Sequence, residues 1–316
     1  MWKMMKKYKY ISLGIGLMSL LILLSFGQFF KENFSYVSVY YDVKEYCYEK
    51  KNPEHEYCKY YPTDEYLENY IENNDPKKVY KRYDAITLTC EIVENTIFNI
   101  LQYFSPLLIA IMILGSVHSM FNSGMFENYL LKINYKKYLK NTYKLALKVS
   151  LITPIALFII FFISSILTGF NFDYSNIDVR LSVYNEWKYD HFILYGCMIC
   201  VIQYFISLLY SNLALYCCKK NKNMLVAIIM AFIMFLVVNI AIYVLLYSII
   251  LGNIFHLSGM SDYFNIAGYW FFDDISNHVL LIVLISFILQ AISFIVLFLS
   301  YKDKEKVILS YEKQVS

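Results

Sequence analysis

Six stretches of this chain, at residues 10–30, 96–121, 149–168, 192–218, 224–251 and 278–301, contain no Asp, Glu, Lys or Arg. No other feature constrains the fold as strongly. A helix of about 20 apolar residues crosses roughly 30 Å of hydrocarbon. In lipid, a helix also pairs its backbone N–H and C=O groups within one segment, which an open strand cannot do. The expected fold class is therefore an all-α polytopic membrane protein with six transmembrane helices. Composition agrees: 59% of residues are hydrophobic and only 17% charged, where a soluble domain carries about a quarter. With 10 Gly and 5 Pro, disorder and collagen-like structure are excluded. The first stretch is expected to remain as a span, because its apolar run is too long for a signal peptide and no small-x-small cleavage site follows.

The net charge of +3 conceals two larger numbers. The N-terminal tail, residues 122–148, residues 219–223 and the C-terminal tail together carry +13, while residues 31–95, 169–191 and 252–277 carry −10. Basic connections stay on the cytoplasmic side. Both termini are therefore expected in the cytoplasm of a multi-pass plasma-membrane protein. The division is 1–30 (tail and first span), 31–95 (a small extracellular domain after helix 1) and 96–316 (a five-helix membrane domain). Cys47 and Cys58 lie in the outer segment, where an oxidising compartment permits a disulfide, with Cys90 as the remaining thiol. A zinc site that adds His55 to them matches no standard ligand spacing. Cys197 and Cys200 have CxxC spacing, but within a span they read as small packing residues.

Charge in the bilayer usually marks a proton or ion pathway. Its absence here argues against a proton-coupled transporter or pump, and no inverted repeat is evident. Pro106 and Pro154 fall within spans as candidate kinks. Uncharged polar residues recur at helical spacing: Asn99 and Gln102 in the second span, Gln203 and Ser207 in the fourth, Asn239 in the fifth and Gln290 in the sixth. Interhelical hydrogen bonding is the plain reading of these. The other reading is that some line a conduit for a large amphiphilic cargo.

The chain has no Gly-x-x-x-x-Gly-Lys-Ser/Thr loop, no His-Glu-x-x-His and no Gly-x-Ser-x-Gly. No enzymatic activity and no cofactor are expected, and any energy from ATP must come from a partner. His191, His256 and His278 near acids at the outer surface read as ordinary interfacial residues rather than a metal site. Nucleic-acid binding is not expected either, since the basic residues sit in short turns flanked by spans.

Residues 122–148 are the most informative stretch (NSGMFENYLLKINYKKYLKNTYKLALK). Leu130, Leu131, Tyr135, Tyr138, Leu139, Thr142 and Leu145 recur at helical spacing, and lysines crowd the other positions. One reading is a basic amphipathic helix resting on anionic membrane lipid. The other is a coupling element that takes force from a soluble partner. The order of features here is a span, a turn with Gly124 and Glu127, Leu130-Leu131, then a basic helix with Lys136 and Lys137 entering the next span. That order resembles the permease subunits of ABC transporters of the ABC-2 type. Where that family has Pro and Arg after the Leu-Leu pair, this chain has Lys132-Ile133-Asn134-Tyr135. The resemblance implies an exporter-type permease that moves a lipidic, peptide or other amphiphilic substrate. It further implies that the chain works as a homodimer, or as a heterodimer with a second permease, on a pair of cytoplasmic ATP-binding subunits. Glu127, Leu130, Leu131, Lys132, Lys136 and Lys137 would then be the ATPase-coupling residues. The alternative from the residues alone is a non-transporting sensor, immunity or scaffold protein that binds partners through residues 31–95.

Overall fold

The computed structural model describes residues 2–50, 56–60, 64–73, 84–122, 134–172, 191–221, 223–244, 248, 279–303 and 307. All elements among the described residues are helical, and six helices are long and apolar enough to cross a membrane. The spans lie within α1 (Trp2–Asp42), α4 (Thr96–Asn122), the stretch Tyr135–Leu167 whose apolar part is α6 (Ile152–Leu167), α7 (Phe192–Lys220), the stretch Met224–Val244 that opens with α8 (Met224–Ile240), and α9 (Val279–Tyr301). Between them lie α2 (Asp64–Asn73), α3 (Ala85–Glu94) and α5 (Tyr135–Ser150). The architecture is that of a multi-pass membrane protein.

Helix α1 has 41 residues, a length of about 60 Å at 1.5 Å per residue, or roughly twice the hydrocarbon thickness. The apolar run ends near Phe30, but no Gly or Pro follows until Pro53. Nothing breaks the helix there, and it continues as a π-helical turn over Val43–Glu49. The segment after the first span thus begins as a continuation of that span. Cys47 on the π-turn is bonded to Cys58 on a short 3-10 helix (Glu56–Tyr60). Val43, Cys47 and Leu67 form a small separate core there.

The main core is built around α4 and α7. Helix α7 buries residues on every side, with all of Ile206–Asn212 buried in succession, and it contacts α4, α5, α6, α8 and α9. Helices α8 and α9 present large apolar side chains outward, with Leu280 at 71% and Leu225 at 67% exposure. Such surface would aggregate in water but is ordinary facing lipid.

Helices α1 and α4 approach closely because each places a glycine beneath a large side chain of the other. Gly14 lies under Met112, and Gly115 lies under the Tyr10 ring. At either position an added Cβ would fall within 3.0 Å of those atoms. At the end of this pair nearer the disulfide, Asn95 Nδ2 donates to Ser25 O (2.9 Å) and Ile97 N–H to Gln28 Oε1 (3.2 Å).

Helix α3 belongs to the same core, packed on α6 and α4, with Ala85, Ile92 and Cys90 buried. The fully buried Asp84 caps it: Oδ1 accepts from Ile86 N–H (2.7 Å) and Thr87 N–H (2.8 Å), and Oδ2 from the Thr87 hydroxyl (2.8 Å). A carboxylate there satisfies orphan donors and matches the positive end of the helix dipole. Ala85 N–H donates to Asn171 O at 2.7 Å, tying α3 to the turn after α6. Gly169, at φ +64°, sits at the left-handed position that ends α6.

Candidate functional site

The site is assembled from α5, its continuation α6, and the faces of α4 and α7 against which they pack. Helix α5 begins at Asn134, whose side chain accepts from Lys136 N–H at 3.1 Å. Asn is among the best N-caps, which is why the helix starts here. Lys136, Lys137, Lys140, Lys144 and Lys148 are all exposed, while Tyr138, Ala146, Val149 and Ser150 are buried. Glu127, Leu130, Leu131 and Lys132 lie outside the described residues, as do His55, His256 and His278.

Two tyrosines anchor the buried face of α5 to α9. The Tyr135 hydroxyl donates to Tyr301 O at 2.5 Å, and the Tyr143 ring lies 5.3 Å from that of Phe294. Burial, with Tyr143 and Asp303 nearby, raises the Tyr135 phenol to about 12, so it stays protonated as a donor. Tyr301 in turn donates its own hydroxyl to Leu215 O at 2.8 Å, and Lys219 Nζ donates to Ser300 O. His118 Nε2 lies 3.3 Å from Asn221 O at the same end.

Only Leu151 separates α5 from α6, and its backbone stays near helical values (φ −73°, ψ −14°). Pro154 explains the interruption. A proline has no N–H, so the carbonyl four residues before it loses its partner. Here that carbonyl belongs to Ser150, and the Thr153 hydroxyl reaches it at 3.3 Å. Helix α4 repeats the device: Pro106 orphans the Gln102 carbonyl, and Ser105 Oγ donates to it at 2.6 Å. Hydroxyl side chains and packed neighbours are what let a membrane helix carry a proline.

Both hydroxyl–proline pairs meet at one level. Thr153 Oγ1 also lies 2.6 Å from Ser207 Oγ, Ser150 Oγ lies 2.8 Å from Ser211 Oγ, and Ser211 donates on to Ser207 O. These bonds stitch the α5–α6 junction to α7. Beside them is a cavity of about 20 Å³, lined in part by Gln102, Ser105, Thr153 and Gln203. It is about the size of one water molecule. Gln102 and Gln203 are each 3% exposed, and both polar atoms of the Gln102 amide lack a protein partner.

The polar stripes of the sequence are thereby sorted. Gln102, Gln203 and Ser207 converge on this layer. Asn99 stands one turn away on α4 and is half-buried. Asn239 on α8 and Gln290 on α9 lie elsewhere, and the Gln290 carbonyl accepts from Ser293 Oγ at 2.7 Å. Ser105, Ser150, Thr153 and Ser211 are layer members that helical spacing alone does not single out. The Ser105-Pro106 and Thr153-Pro154 dipeptides are the signal that marks two of them.

Between α7, α8 and α9 lies a groove of about 690 Å³, lined by Leu213, Met234, Val238, Leu289 and other apolar residues. One polar pair lies along it: Asn212 Nδ2 donates to Ser293 Oγ at 2.8 Å. The groove is of a size that takes small ligands elsewhere. Among the described residues, no three His, Cys, Asp or Glu side chains come together as a metal site would require.

Family models, curated proteins and solved structures were each compared with this chain, and none matches it. The class of protein therefore rests on the helices themselves: an all-helical chain with six segments fit to cross a membrane.

Proposed function

We infer that this chain is the membrane subunit of an exporter driven by ATP-hydrolysing subunits supplied in trans, and that α5 is the helix on which those subunits act. On this reading α5 lies at the cytoplasmic surface of the plasma membrane, as the charge distribution of the chain favours. The observation that carries the reading is the mechanical continuity of α5 with α6 and α7. A displacement applied at exposed Lys136 and Lys137 passes along α5, through the Ser150–Ser211 and Thr153–Ser207 bonds, into the layer where Pro106 and Pro154 each remove a backbone hydrogen bond from their helix. Proline sites are where membrane helices bend most readily. An apolar groove with a single polar pair, and no charge inside any span, suits a lipidic, peptide or otherwise amphiphilic cargo better than an ion. The chain would act in pairs, with itself or with a second permease.

Affinity purification of the tagged protein from native membranes tests this reading. An ATPase subunit with a Gly-x-x-x-x-Gly-Lys-Ser/Thr loop should accompany the wild type and be lost from Lys136→Glu/Lys137→Glu, with the variant still inserted. Absence of any ATPase, or unchanged recovery with the variant, removes the reading.

One observation favours a second role, recognition through the 31–95 segment by a sensor, immunity or scaffold protein. Tyr60, on the short helix that the disulfide ties down, is 73% exposed and Tyr66, on α2, is 69% exposed, and tyrosine is enriched at protein interfaces. Deleting residues 51–73 would abolish partner capture under this second role and spare ATPase association under the first.

A further inference from the structure

We propose that the cleft between α1 and the second half of α5 seats the phosphate headgroup of an anionic phospholipid, with Lys144 and Lys148 as its ligands. The cleft has a volume of about 340 Å³ and combines two kinds of wall. Lys144, Lys148 and the Asn141 amide supply polar donors; Ile11 of α1 with Val149 and Ile152 supply an apolar side. Val149 and Ile152 straddle the point where α5 gives way to the apolar span α6, so the cleft opens where a headgroup and the start of its acyl chains would meet the protein together.

The charge pattern of α5 calls for an anion from outside the helix. Lys136, Lys140, Lys144 and Lys148 follow one another at four-residue spacing, which stacks them along one stripe, and like charges at that spacing destabilise a helix. The helix contains no acid. Among the described residues the ion pair present is Lys50–Glu45, far along the chain, and none of the α5 lysines has a carboxylate within reach. Basic pockets beside membrane helices are where anionic headgroups bind.

The occupant follows from the walls. An acidic soluble protein would satisfy the lysines but would leave the half-buried Ile11 and Ile152 facing its polar surface. A phospholipid supplies the phosphate and the hydrocarbon from one molecule. Lys136 and Lys137 lie 8 and 7 residues before Lys144, roughly 10–12 Å along the axis. That is comparable to the screening length of about 10 Å at 0.1 M salt, so charge at one half of α5 acts weakly on the other and the two halves can serve different partners. This inference does not depend on the ATPase reading.

Native mass spectrometry of the purified full-length protein tests the proposal. Phosphatidylglycerol, phosphatidylcholine with the same acyl chains, and soluble glycerol phosphate are each added. Phosphatidylglycerol should bind the wild type, and the other two should not compete with it. Lys144→Gln/Lys148→Gln should weaken that binding about fivefold for each lysine, or about thirtyfold together. Lys144→Arg/Lys148→Arg should retain it, and Lys136→Gln/Lys137→Gln should stay within about twofold of wild type. Equal binding of phosphatidylcholine, or competition by glycerol phosphate, would overturn the proposal without any variant. Unchanged affinity in the Gln pair would also overturn it, as would loss of a protein partner from that pair with lipid binding intact.

Discussion

Gly115→Ala is the substitution whose outcome the packing of this protein fixes most tightly. The new methyl would overlap the Tyr10 ring, and its nearest neighbour is Cγ. That atom is attached directly to Cβ, so turning the ring about the Cβ–Cγ bond gives no relief. Either Tyr10 leaves its place against α4 or the two helices separate. Overpacking of this kind costs about 1–3 kcal/mol. Alanine recovers about 0.5–1 kcal/mol of that through its better helix propensity. The net expectation is a loss of about 1–2 kcal/mol. Gly16 and Gly27, also on α1, have open space where a Cβ would go. Gly16→Ala and Gly27→Ala should therefore gain the propensity term alone and stabilise. Reversible unfolding in mixed micelles by a denaturing detergent measures all three, and Tyr10→Ala added to Gly115→Ala should recover part of the lost stability. If Gly115→Ala proves as stable as Gly16→Ala, α1 and α4 do not meet as described.

Other expectations follow from the same structure. Thr153→Val and Ser105→Ala each leave a proline-orphaned carbonyl without its hydroxyl donor and should cost about 1–3 kcal/mol in the same assay. Ser150→Ala removes a single interhelical bond and should cost less, about 0.6 kcal/mol. The Cys47–Cys58 bond closes a loop of 11 residues and constrains the unfolded segment by about 3 kcal/mol. Cys47→Ser/Cys58→Ser should therefore speed proteolysis between residues 31 and 95 and leave the spans intact. Tyr135 is an alkaline-sensitive group of α5, because burial lifts its phenol from the usual 10.0 to about 12. The fold favours the neutral phenol, so this contribution is complete below pH 10 and is lost as pH rises from 10 towards 12. Tyr135→Phe should flatten that part of the stability profile, read by tryptophan fluorescence against pH.

The sequence and the structure agree most closely where one residue type decides the matter. Charge is excluded from hydrocarbon, so the uncharged stretches mark the spans. The lysine pattern of residues 135–148 likewise marks an amphipathic helix before any neighbour is known. Less of α1 was legible, because apolarity ends at Phe30 while helicity does not. A span boundary reports a change of solvent, and a helix boundary requires a breaker or a cap, which this segment lacks until Pro53. Helix α3 was harder still. Its cap Asp84 is a recognisable signal, but its burial against α6 depends on a tertiary neighbour some 70 positions away in sequence. At the polar layer, helical spacing selected Gln102, Gln203 and Ser207 but could not show which stripes would face each other. Thr153 and Ser105 matter because of the proline beside each, a local backbone reason that a search for polar periodicity passes over. Asn239 and Gln290 satisfied the same periodicity and lie apart from the layer, on α8 and α9.

The central claim is that an ATP-hydrolysing partner bears directly on α5. A photocrosslinking amino acid placed at Lys137 in living cells, with a second placed at Tyr60 as the control, examines that claim at the residue concerned. The account predicts an adduct from position 137 to a nucleotide-binding subunit, strengthened or weakened as ATP is bound or hydrolysed, and none to that subunit from position 60. Adducts from position 137 to lipid alone, or to a protein without a nucleotide-binding loop, would contradict it.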